Sequence, residues 1–227
     1  MASIDLDTVA GLLDGHIDIR RRPGSIQPLR IPADEASFYD PFARWVASCT
    51  AGVRLRFRSD TRALTLTASQ RATMGDREVT YDLFIDGALV ARQAPRGGAM
   101  LKEGGGVSGD EAASVAFDNL SAGMKSFELW MPQSATVAIT GLAIDDGARL
   151  EPWPDDRRTI LFHGSSITHA MEGAGAPGAW PAVAAAAANL RLVNLGWAGS
   201  CILSGLAARI IRDQRADAIV LKLGINV

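Results

Sequence analysis

Three short segments of the chain carry residues that together could do acyl chemistry. Each follows an apolar run: His163-Gly164-Ser165-Ser166-Ile167-Thr168, Gly196-Trp197-Ala198-Gly199-Ser200 and Gly224-Ile225-Asn226. A serine hydroxyl attacks an ester carbonyl once a base takes its proton. Glycine backbone N–H groups and a carboxamide side chain are the donors that stabilise the oxyanion formed in that attack. Each residue also has an ordinary structural reading. Ser166 would serve as a helix N-cap, Gly196 and Gly199 as turn glycines, and Asn226 as a turn asparagine. The combination, in this order and at strand ends, is more specific than any one of them.

The elements around these segments would bring them together. Residues 159–163, 191–195 and 218–223 are apolar runs. Between them lie an alanine-rich helix over 180–189, opened by Pro181, and a helix over 203–213 with Leu206, Ile210 and Ile211 on its buried side. Near-continuous apolar strands alternating with helices predict a parallel sheet covered by helices. In such sheets ligands bind beyond the carboxyl ends of the strands. All three segments should therefore lie at one edge.

The preceding residues follow a different pattern. Apolar and polar residues alternate over 53–57, 64–67, 79–85, 114–117, 126–130 and 136–139. Turn signals separate these runs at 59–60, 86–87, 121–123 and 132–133. This predicts an antiparallel β-sandwich of the jelly-roll kind, preceded by a helix over 5–13 that stops at Gly15. The glycine-rich stretches 95–98 and 104–109 read as surface loop. They lack a phosphate-binding pattern. The prolines and acids of EPWPDD mark a linker, so the chain divides into 1–150, 151–158 and 159–227.

At this point the three segments resemble the SGNH, or GDSL-type, hydrolase and acyltransferase superfamily. GSSIT at 164–168 is similar to the family's first block and puts Ser166 on the nucleophile. NLGWAGS at 194–200 puts Gly199 on the oxyanion-hole glycine, and LGIN at 223–226 puts Asn226 on the oxyanion-hole asparagine. The resemblance implies a flavodoxin-like α/β/α layered fold, of which 159–227 would be the first part. VTYDLFIDG at 79–87 resembles, less specifically, a strand of the β-sandwich that precedes the catalytic domain in one bacterial subgroup. The family's final block, D-x-x-H, supplies a histidine base and its aspartate, and nothing like it follows Asn226. The catalytic His and Asp are therefore expected outside this sequence, in a missing C-terminal part of the same polypeptide.

Several residues compete for these roles. Ser165 stands where many members of the family carry aspartate and is a rival nucleophile, although the register favours Ser166. His163 and His169 flank the serine, but both are expected to have ordinary polar roles. Trp197, inside the second segment, is a candidate substrate contact. Phe38, Tyr39, Phe42 and Trp45 read as core or interdomain packing, with a sugar platform as the rival. The run Arg20-Arg21-Arg22 reads as a solvated turn before Pro23-Gly24. Cys49 and Cys201 read as buried free thiols, too few for a disulfide scaffold or a multi-cysteine metal site.

Composition removes other classes. The 227 residues carry a net charge of −2, with 48% hydrophobic and 21% charged residues. This is the balance of a globular protein. It lacks the basic footprint of a nucleic-acid binder. The N-terminus does not read as a signal peptide, and there is no run of 18 apolar residues. The expectation is a cytoplasmic protein acting on a small-molecule ester, of a sugar or a natural product, with no metal or organic cofactor. The rival is a non-catalytic module whose β-sandwich binds carbohydrate or protein.

Overall fold

The computed structural model describes residues 1–72, 79–102, 106–171, 173 and 175–227. It is mostly β-sheet with few helices. Two largely antiparallel sheets account for the first two-thirds of the chain. One pairs Leu64–Ala72 with Ala112–Phe117 and Ala135–Ile144, and Ala135–Ile144 in turn with Ser25–Leu29. The other pairs Arg54–Ser59 with Lys125–Trp130, which is followed by Tyr81–Ile85 and Ala88–Gln93. The alternation is the reason for these strands. Along Leu64–Ala72, buried residues fall at every second position, as the two-residue period of a strand requires. The inward faces of both sheets meet in one core, where Phe57 stacks on Phe127 at 4.8 Å and Leu66, Leu83, Leu129 and Ile139 are almost fully buried.

The third sheet is parallel, with Thr159–Gly164 in the centre, Arg191–Gly196 on one side and Ala218–Lys222 on the other. One face packs against helix Gly205–Asp213 and, more extensively, against residues far upstream. Leu29, Ile31, Tyr39, Val46 and Ala47 share a core with Leu161, Val193, Leu195 and Trp197. The other face packs on helix Trp180–Ala187 and on Trp130, and Phe162 meets Trp180 edge-on at 5.0 Å.

Arg30 ties the regions together. It is fully buried and spends its guanidinium on backbone carbonyls: Nε donates to Cys49 (2.7 Å), Nη2 to Val46 (2.6 Å), and Nη1 to Asn194 (3.1 Å) and Gly196 (2.7 Å). A second tie lies at the other end of the same parallel strand. Asp14 accepts from Arg191 at 2.6 Å and pairs with Arg54 at 2.5 Å. Residues 151–158 are held as well. Leu150–Pro152 adds to Arg54–Ser59 as a strand, Trp153 stacks under Arg56, and the carboxylate of Asp155 meets Arg56 at 3.0 Å and Arg157 at 2.5 Å.

Several local expectations change. The first helix is Leu6–Gly11, capped by Asp5, whose carboxylate accepts from the Thr8 N–H at 2.8 Å. It ends before Leu13, because Leu13–Asp14 pairs with Arg54–Ser59. The arginine run is not a turn. Asp18–Arg22 is a strand paired with Ser25–Leu29, and only Pro23-Gly24 turns. The glycine-rich stretches contribute the short strands Arg96–Gly97, Ala99–Leu101 and Val107–Ser108, and 103–105 lie outside the described residues. Helix Pro41–Ser48 carries no strong sequence signal beyond Asp40, which accepts from the N–H groups of Phe42 and Ala43, and Pro41 in its first turn.

Candidate active site

The register of the parallel strands decides the geometry. Gly164 pairs with Gly196 on one side and with Lys222 on the other. The segments that follow the three strands therefore leave the same edge of the sheet. Ser166, Gly199 and Asn226 all lie there, on three adjacent strand ends.

Ser165 and Ser166 differ sharply. Ser166 opens the four-residue helix Ser166–His169 and is exposed. Ser165 is 0% exposed, its hydroxyl closed off from any substrate. Helix Ser166–His169 is fixed from three directions. The Nδ2 of Asn194 donates to the Thr168 carbonyl at 3.1 Å, while its Oδ1 accepts from the Gly196 N–H at 2.8 Å. The Nε1 of Trp180 donates to the Ile167 carbonyl at 2.9 Å. The Nε2 of His169 donates to the Gln133 carbonyl at 2.7 Å. Gly196 is needed for this approach, since a Cβ there would collide with the backbone of Thr168 and His169.

Gly199 is exposed and left-handed at φ +67°, and a Cβ at this position would meet the Phe42 ring at 3.0 Å. Phe42, 53% exposed, thus stands beside the glycine from an element more than 150 positions upstream. No local signal links the two. Asn226 is half-buried, and its Oδ1 has no hydrogen-bond partner among the described residues.

The expected role of Trp197 is corrected. Its indole is 1% exposed and packs edge-on against Tyr39 at 5.7 Å and His163 at 5.4 Å. It supports the loop from beneath and presents no face to a ligand. Of the four upstream aromatics, Tyr39 is core, whereas Phe38 and Phe42 are exposed.

The histidines are structural. His169 is buried on all sides, and burial holds its pKa well below the ordinary 6.5. The Nδ1 of His163 donates to the Leu195 carbonyl at 2.8 Å, its Nε2 faces the Cys201 thiol at 3.6 Å, and burial lowers its pKa too. His16 sits with Asp14 and Arg191 at the opposite end of the sheet. None of the three hydrogen-bonds Ser166 among the described residues. Cys49 and Cys201 are free and buried, and burial raises the Cys49 thiol to about 12.

No family model matches the chain. No curated protein matches it either. Solved structures do. The salicylyl-acyltransferase SsfX3 from a tetracycline biosynthetic pathway is 29% identical, with a TM-score of 0.81 over 94% of this chain and 60% of that one. A GDSL-like lipase from Bacteroides ovatus is 17% identical, with a TM-score of 0.75 over 99% of this chain and 65% of that one. A family two carbohydrate esterase from Clostridium thermocellum is 14% identical, with a TM-score of 0.54 over 82% of this chain and 51% of that one. The chain thus spans half to two-thirds of the length of these structures. It shares its fold with an acyltransferase, a GDSL-like lipase and carbohydrate esterases, neighbours consistent with the SGNH/GDSL hydrolase superfamily.

Proposed function

We propose that this chain carries the nucleophile and oxyanion hole of a serine-dependent acyl-ester hydrolase or acyltransferase. In this reading residues 1–150 are a β-sandwich accessory domain, and 159–227 are the first part of a flavodoxin-like α/β/α hydrolase domain. The observation that carries the reading is the register of the parallel strands. Gly164 lies level with Gly196 and Lys222, so the segments that carry the exposed Ser166, the left-handed Gly199 and Asn226 leave one edge of the sheet.

The chemistry follows from that order. Ser166 Oγ attacks the ester carbonyl as its proton passes to a base, and a tetrahedral oxyanion forms. The N–H groups of Ser166 and Gly199 and the Asn226 carboxamide donate to that oxygen. Collapse expels the alcohol and leaves an acyl-serine. Water then gives hydrolysis and a second alcohol gives transfer, with the outcome set by water exclusion and acceptor fit. Neither His163 nor His169 suits the role of base, since each is buried and bonded to a backbone carbonyl. The substrate is a small-molecule ester of a sugar or natural product. The salicylyl group named for the 29%-identical acyltransferase makes esters of aromatic carboxylic acids the first class to try.

The test, on a polypeptide that also supplies the histidine base, is covalent labelling with a fluorophosphonate, mapped by peptide mass, alongside turnover of p-nitrophenyl esters. Label on Ser166, with both signals gone in Ser166→Ala, is the expected result. Label on another residue, or turnover unchanged in Ser166→Ala, overturns the assignment.

A further inference from the structure

The arginine run leads to a second site, away from the strand ends. In the strand Asp18–Arg22, Arg20 and Arg22 share one face while Arg21 turns to the other and pairs with Asp7 at 2.6 Å. That shared face opens on a cavity of about 360 Å³. Its floor is a row across four strands. Arg20 stands opposite Gln27, and Ala138 opposite Ser69, with Thr136 and Arg71 one step further along. Its wall is helix Pro41–Ser48, which presents Pro41, Arg44, Trp45 and Ser48 at helical spacing.

Arg20, Arg22, Arg44 and Arg71 therefore line one space, and among the described lining residues Glu111 is the acid that stands with them. Glu111, the acidic residue in the lining, is taken up by Arg71 and by the Ser69 hydroxyl at 2.7 Å. Asp18, nearest to Arg20, gives its two oxygens to the backbone N–H groups of Ile19 (2.7 Å) and Ala33 (2.8 Å). The side chains of Arg22 and Arg44 have no acceptor among the described residues, and that of Arg20 has only Gln27 at 3.4 Å. Burial, with Arg22 and Arg44 as like-charged neighbours, lowers the Arg20 pKa. The indole N–H of Trp45 is buried without a partner among the described residues. Arg22 and Arg44 are exposed, so an anion from solution can reach both. Guanidinium forks fit carboxylate and phosphate oxygens two at a time.

We propose that this cavity is a binding site for a small oxyanion ligand, a carboxylate or a phosphate ester. Arg20, Arg22 and Arg44 supply the charge, and Gln27, Trp45 and Ser48 complete the lining. The site goes beyond the esterase reading and does not depend on it.

Titration calorimetry at constant ionic strength tests this with inorganic phosphate, glucuronate and, as the neutral control, glucose. Saturable binding of phosphate or glucuronate, and none of glucose, is expected, and the better of the two anions identifies the source. The double variant R22Q/R44Q should weaken that binding at least tenfold, while Arg149→Gln, which pairs with Asp60 elsewhere, should leave it unchanged. A measurement on the unaltered protein covers the case in which the double variant fails to fold. Arginine modification by phenylglyoxal, mapped by peptide mass, should be slowed at Arg22 and Arg44 by the bound anion. Failure of both anions to bind, binding unaffected by R22Q/R44Q, or modification of Arg44 indifferent to the anion that binds would each overturn the proposal.

Discussion

The two outer strands of the parallel sheet make an instructive pair. Arg191–Gly196 and Ala218–Lys222 flank the same central strand, and each leads to one of the proposed oxyanion donors. In the first, five of six residues are buried, Arg30 caps its carbonyls, and Asn194 spends both ends of its amide on neighbouring backbone. In the second, all five residues are exposed, with Ile219 at 46% and Leu221 at 53%, and Asn226 beyond it is uncommitted. One donor loop is fixed by contacts from the first fifty residues, and the other is not held in this way. Asn194 spends both ends of its amide within the fold, whereas the Asn226 Oδ1 has no hydrogen-bond partner among the described residues.

The comparison can be broken or sharpened by mutation. The largest effect is expected from Arg30→Met. It removes one donor from each of four carbonyls in the fold's interior, a loss on the order of 3–5 kcal/mol in urea unfolding. A loss below 1 kcal/mol, on the scale of an ordinary surface change, would show that Arg30 does not tie the regions together. In a polypeptide that also supplies the histidine base, Asn226→Ala should lower kcat for ester turnover by about 10²–10³ while moving stability by under about 0.5 kcal/mol. A kcat change below about threefold would make Asn226 structural. Asn194→Ala should show the converse priority. Stability should drop by about 1–3 kcal/mol, because the Gly196 N–H and Thr168 carbonyl lose their partners.

Gly199→Ala should cost about 1–2 kcal/mol for the left-handed backbone, and more in activity if the loop shifts against Phe42. An unchanged melting temperature and unchanged turnover would mean that the loop tolerates the extra carbon. The smallest effect concerns pH. His169, His163 and His16 all have pKa values lowered by burial, so the unfolded chain takes up protons first as pH falls. Their contribution is present above about pH 6.5 and is lost as pH drops toward the folded values. Urea midpoints at a series of pH values between about 7.5 and 5.5 should therefore decline, and less steeply in a folded His169→Gln variant. A flat profile would show that these rings titrate alike in both states.

Much of this was legible in the residues themselves. Alternation with a period of two placed the strands from Arg54–Ser59 to Ala135–Ile144, since one face of each must be apolar to meet the other sheet. The continuous apolar runs gave the parallel strands, and the resemblance of the segments at their ends to a known family's blocks singled out Ser166, Gly199 and Asn226. Tertiary packing decided the rest, because local pattern reports that a face is buried but not what buries it. Nothing near Trp197 says that Tyr39 covers it, so its burial could not be read from its loop. Ser165 and Ser166 are adjacent and identical, and only the placement of helix Ser166–His169 buries one and exposes the other. The arginine run resembles a solvated turn by composition, yet pairing with Ser25–Leu29 makes it a strand and sorts its charges onto two faces. Arg30 has no local signature. Its acceptors lie 16 to 166 positions away, and only the closed fold brings them to one guanidinium.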